Sequence, residues 1–163
     1  MHEIETNLFI RYFFGNSLLK RVYRTLHKQR RRDGLGSKKR LVWQKCASGQ
    51  GSAGDSYTDC SVGTANLVSW TAALTYCNTL NLAGVGGWRL PSVKELVSLV
   101  DYSRTSSPFI NQTFFPNSVD SFWTSTTHPS GSYKFQAYQV IFTSGTYDTF
   151  DKVSSLVRVR CVR

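Results

Sequence analysis

"GGWRLPSVKEL", residues 86–96, decides the reading of this chain. Ser92 followed three residues later by Glu95 is the pattern of a capping box. The serine hydroxyl takes a first-turn N–H, and the glutamate reaches back to the N–H of the cap residue. Pro91 and Leu96 stand at the two positions of a hydrophobic staple around that cap. The stretch therefore predicts a helix in "LPSVKELVSLVDY", with Val93, Leu96, Val97 and Val100 on its buried stripe. Trp88 and Leu90 are expected to fill the junction between this helix and a sheet. Arg89 is expected to bond backbone carbonyls or a carboxylate near the helix start, because a guanidinium fork satisfies several acceptors in fixed geometry. Ligand contact is the other role open to it.

Upstream, "SWTAALTYCNTLNLAG" repeats Trp70, Ala73, Leu74, Cys77 and Leu80 at helical spacing and supplies Gly84 as a stop. Downstream the period changes to two. Strands are expected at 121–125, 135–142, 146–150 and 154–162, with glycine-containing turns at Gly131 and Gly145. In the last strand Val157, Val159 and Cys161 share one face, and Leu156, Arg158, Arg160 and Val162 the other.

The 163 residues carry a formal charge of +10. That charge is concentrated: residues 1–40 hold 11 of the 20 Lys and Arg with three acids, and the rest of the chain holds nine basic and seven acidic side chains. Residues 1–40 also lack Cys, Trp and Pro, so a boundary is placed near 40. Within this basic tail, "NSLLKRVYRTLHKQRRR" puts Leu18, Leu19, Val22, Tyr23 and Leu26 on one helical face, predicting at most a short amphipathic helix from Ser17 to Arg31. Such a helix could meet an anionic membrane or nucleic acid, or be a loosely packed appendage. No apolar run reaches the length of a membrane span.

Four cysteines, Cys46, Cys60, Cys77 and Cys161, form no CxxC pair and no zinc-type cluster with histidine. They read as disulfides, for which four cysteines allow three pairings. The Gly- and Ser-rich stretch between Cys46 and Cys60 looks like a loop they close, leaving Cys77 with Cys161. Disulfides call for an oxidising compartment: extracellular, periplasmic or cell envelope. No signal peptide is visible in residues 1–40, which points to a truncated or misassigned start or an unusual export route.

"LVWQKC" (41–46), Trp70 with Ala73 and Cys77, "GWRLPSVKEL" (87–96), "FWTST" (122–126) and "VRVRCVR" (157–163) occur here in an order that resembles the DUF1566 family, also called the Lcl C-terminal domain. The resemblance covers 41–163, with Trp70, Trp88, Arg89, Leu90, Pro91, Ser92, Glu95 and Trp123 as its signature. It implies an α+β, C-type-lectin-like domain: two helices packed on a twisted, mostly antiparallel sheet, with a disulfide joining the first helix to the last strand. "RRDGLGSKKRLVW" departs from the family's first strand, so the pairing of that strand is open. No Glu-Pro-Asn, Gln-Pro-Asp or Trp-Asn-Asp motif of calcium-dependent lectins is present, so no metal is expected.

The three histidines are scattered, and no nucleophile elbow, Walker loop or dinucleotide fingerprint occurs. No cofactor and no catalytic residue is expected. The resemblance implies an adhesin-like, non-catalytic binding module, extracellular or envelope-associated, taking a sulfated or other anionic glycan or a surface protein without calcium. Candidate ligand residues are Tyr133, Lys134, Tyr138, Arg158 and Arg160, offering aromatic faces and cations. Nucleic-acid or anionic-membrane binding through the tail, and a purely structural scaffold role, are the alternatives.

Overall fold

The structure, a computed structural model, describes residues 28–32, 38–51, 59–82 and 84–163. Its elements are β1 (Lys28–Arg32), β2 (Lys38–Val42), α1 (Trp70–Thr79), α2 (Val93–Val97), β3 (Ser121–Thr127), β4 (Gln136–Ile141) and β5 (Thr146–Asp151), with a 3-10 turn at Gly131–Tyr133 before β4. β3, β4 and β5 form an antiparallel sheet in that order, and β1 pairs with β2. Two helices on a three-stranded antiparallel sheet, braced by two disulfides, make the architecture α+β.

Both helices start at a serine cap, that of α2 as predicted. The Ser69 side chain accepts from Ala72 N–H at the head of α1. At α2 the capping box is complete: Ser92 Oγ accepts from Glu95 N–H, and Glu95 Oε2 accepts from Ser92 N–H at 2.8 Å. Both end sooner than the hydrophobic period suggests. The stop of α1 is Leu80, four residues before Gly84. After Val97 the chain tightens into i to i+3 bonds, Leu99 N–H to Leu96 O and Val100 N–H to Val97 O, because Val100 is drawn into a bridge with Ile110.

The expected last strand is not a regular strand. Residues 157–163 instead form a spine bonded on both sides. Val157 exchanges bonds with Val68, Val162 with Arg89, and Arg163 with Val42, while Trp123 and Gln44 donate to Arg158 O and Cys161 O. The Val42 and Arg163 exchange also settles the first strand: residues 38–44 pair, at one end with β1 and at the other with the C-terminus. β2 therefore straddles the boundary drawn near 40. The tail helix expected over 17–31 lies outside the described residues up to 27, and residues 28–31 belong to β1 rather than to a helix.

Alternation along the spine divides the core. Val157, Val159 and Cys161 pack with Ala73, Cys77, Trp88, Leu90 and Trp123 on the α1 side. Val162 packs with Trp43, Leu96, Phe122, Val140 and Phe142 on the α2 side. Phe122 and Trp123, adjacent in β3, serve opposite clusters, as period-two side chains must when both faces of a strand are covered. The disulfides are Cys46–Cys60 and Cys77–Cys161, with Cα separations of 5.3 and 5.5 Å, as expected. Beside the first, Gly49 holds a φ of +84°, and a Cβ there would sit 2.5 Å from Thr64 O, so only glycine fits the loop.

Candidate functional site

Most of the signature residues are structural. Arg89 forks onto Glu95, Nη1 to Oε2 at 2.8 Å and Nη2 to Oε1 at 2.7 Å, so the capping glutamate is itself held by a bidentate cation. Burial acts to raise the Glu95 carboxyl, but the Arg89 fork and the Ser92 N–H outweigh it and hold the group down at about 2. Each of three signature indoles donates to a backbone carbonyl at 2.8 Å: Trp70 to Thr124, Trp88 to Val85, Trp123 to Val68. The "GWRLPSVKEL" and "FWTST" segments bind one another, since Ser125 N–H donates to Pro91 O and Thr126 Oγ1 accepts from Val93 N–H. The register break in β3 between Trp123 and Thr127 is what lets this stretch turn toward α2.

Of the five candidate ligand residues, the structure brings three together. Tyr133, Lys134 and Tyr138 lie on or beside the β4 end of the sheet, where Tyr133 and Lys134 are exposed and Tyr138 is half-buried. Arg158 does not join them. It bonds the far edge of β3, so a whole strand separates it from Tyr138, roughly 10 Å by ordinary strand spacing. Its guanidinium is engaged by Asp120 at 2.7 Å.

Arg160 is a correction. Its predicted face begins exposed at Leu156 but is closed over by Phe115 and Phe122, leaving Arg160 at 0% exposure. The guanidinium carbon lies 4.7 and 5.3 Å from those two rings, and the nitrogens donate to Gln44 O, Lys45 O and Ser118 Oγ. Desolvation by burial pushes the group down to about 9. Arg160 is a core residue that ties the spine to "LVWQKC", and it is removed from the ligand set.

Two residues outside the candidate set belong with the three that remain. The His128 ring is 4.9 Å from Tyr133, edge to face, and 6.1 Å from Tyr138, nearly parallel; Tyr138 in turn is 6.0 Å from Tyr147. Tyr147 is opposite Val140, a diagonal neighbour of Tyr138, and that cross-strand register was the signal available in the sequence. Beside these rings Thr149 Oγ1 donates to Gln136 Oε1 at 2.7 Å. Among the described residues, no group of three or more His, Cys, Asp and Glu could hold a metal ion, and no helix is long and apolar enough to cross a membrane.

The family model described as Lcl C-terminal domain matches residues 36–163. No curated protein matches the chain significantly.

Proposed function

The chain belongs to the Lcl C-terminal domain family, and from that premise we propose a non-catalytic, calcium-independent binding module of C-type-lectin-like fold. It acts in adhesin-like manner outside the cytoplasm, at the envelope or beyond it. Its partner is a glycan or a protein of a surface.

One observation carries the reading. Arg89, Glu95, Trp70, Trp88, Trp123 and Arg160 are committed to internal contacts, while His128, Tyr133, Tyr138 and Tyr147 gather on one side of the sheet. Aromatic side chains with a flat apolar body and a polar tip are the residues that binding surfaces favour. The two disulfides fit an oxidising compartment.

Binding of the full chain to an array of immobilised neutral and anionic glycans, repeated with residues 36–163 alone and with a chelator, tests it. Signal retained in both variations is the expected result. Loss on removing residues 1–35, with the shortened chain shown by thermal melting to keep its fold without β1, transfers the activity to the basic tail, and loss on chelation restores a metal.

A further inference from the structure

The ring strip carries its own statement about ligand chemistry. Tyr133 and Tyr147 are 52% and 58% exposed, on either side of the half-buried Tyr138. None of the three hydroxyls is bonded to a described residue. His128 Nδ1 accepts from Ser130 N–H at 3.1 Å, so the neutral imidazole carries its proton on Nε2 and can donate from there. The strip thus offers apolar ring faces with donors and acceptors at their rims.

Its surroundings carry both signs of charge in equal number, Lys134 and Lys152 with Asp148 and Asp151. Arg158 is held by Asp120 on the other side of β3, and Arg160 is in the core. Lys152 donates to Lys134 O and lies 4.7 Å over Trp70. The Asp148 and Asp151 carboxylates accept from nearby backbone N–H groups, Thr149 for the first and Val153 and Ser154 for the second. Of the basic residues proposed for an anion, Lys134 alone stays at the surface of this region, drawn over Phe135 at 5.1 Å. A sulfated or phosphorylated ligand would meet two lysines here, Lys134 and the half-buried Lys152, with the Asp148 and Asp151 carboxylates nearby to oppose it, whereas tight anion recognition uses several unopposed cations or a bidentate fork.

A pyranose ring matches what is present. Its C–H face carries the weak positive potential that the negative π face attracts, and its hydroxyl rim meets phenol and imidazole groups. Successive rings at 4.9, 6.1 and 6.0 Å extend beyond one sugar, which favours a chain of them. Resting on the binding-module reading above, we propose that His128, Tyr133, Tyr138 and Tyr147 form the binding face for an uncharged oligosaccharide, held by ring stacking.

The test uses the full chain with cellohexaose, maltohexaose and chitohexaose as neutral probes, a heparin hexasaccharide as the charged one and a proline decamer as the peptide, each titrated calorimetrically up to millimolar concentration. At least one neutral probe is expected to bind, with less than about a twofold change in affinity across the salt range that screens surface charge. Tyr147→Ala, at an exposed position, should weaken it by about tenfold, and Tyr138→Ala at least as much, while Tyr147→Phe keeps most of it. Thermal melts establish that each variant is folded. Heparin binding alone, lost with salt and indifferent to Tyr147→Ala, overturns the face and leaves the module reading standing. Binding of the decamer alone overturns it in favour of a protein partner, and the absence of binding by every neutral probe also overturns it.

Discussion

Arg89 and Glu95 show how one residue's chemistry becomes another's structure. The Glu95 carboxylate takes the Ser92 N–H and both guanidinium nitrogens, so the cap of α2 depends on its ionisation. A carboxyl depressed from 4.5 to about 2 contributes stability that is fully present above the unfolded-state value and is lost as pH falls through the folded one. Because the Arg89 side chain is 47% exposed, solvent screening reduces the contribution to about 1–2 kcal/mol. Urea unfolding at pH 7 and at steps from 4.5 down to 2 should show that loss, and Glu95→Gln should flatten this part of the profile. Arg160 is the opposite case, a cation stabilised by carbonyls and rings, with no anion bonded to it among the described residues. Arg160→Ala leaves the Gln44 and Lys45 carbonyls unpaired around a cavity, and should cost about 3 kcal/mol or more in denaturant unfolding.

At the level of elements, the contact between β3 and α2 is a lock built from two backbone groups, Pro91 O and Val93 N–H, each answered by β3. Thr126→Val keeps the shape and removes the acceptor for Val93 N–H. It should lower stability by about 1 kcal/mol in urea unfolding, while a substitution at the exposed Thr127 should leave it unchanged. What the sequence made legible follows from the range of the interactions. The α2 cap, the Cys46–Cys60 loop and the 157/159/161 face are set by neighbours a few residues apart or by strict alternation. The end of α2 was not legible, because it is set by the Val100 and Ile110 bridge. The fate of Arg160 was not legible either: Phe115 and Phe122 come from 45 and 38 positions away, and alternation names a face without saying what covers it. For the same reason Tyr133, Lys134 and Tyr138, close together in one segment, lie near one another at the β4 end of the sheet, whereas Arg158, grouped with them by charge alone, is across a strand.

For the whole molecule the decisive feature is that the last seven residues are its spine. Residues 157–163 bond to "LVWQKC", Val68, Arg89 and β3, and supply side chains to both core clusters, so the core closes only when the C-terminus is in place. Cys77–Cys161 fastens that spine to α1 across a sequence separation of 84, whereas Cys46–Cys60 closes a separation of 14. Closing the longer loop removes more freedom from the unfolded chain, about 4.5 kcal/mol against about 3 kcal/mol on chain-entropy grounds. Its loss also leaves two empty thiol positions in the α1-side core, where Cys77 and Cys161 are fully buried. The double variant Cys77→Ala, Cys161→Ala is therefore expected to lose more stability than Cys46→Ala, Cys60→Ala, and to expose the indoles of Trp88 and Trp123 that pack beside the bond. Equilibrium unfolding followed by tryptophan fluorescence checks the order. Equal losses would mean that the spine is held by its backbone bonds and core packing alone, with the long disulfide adding no more than the short one.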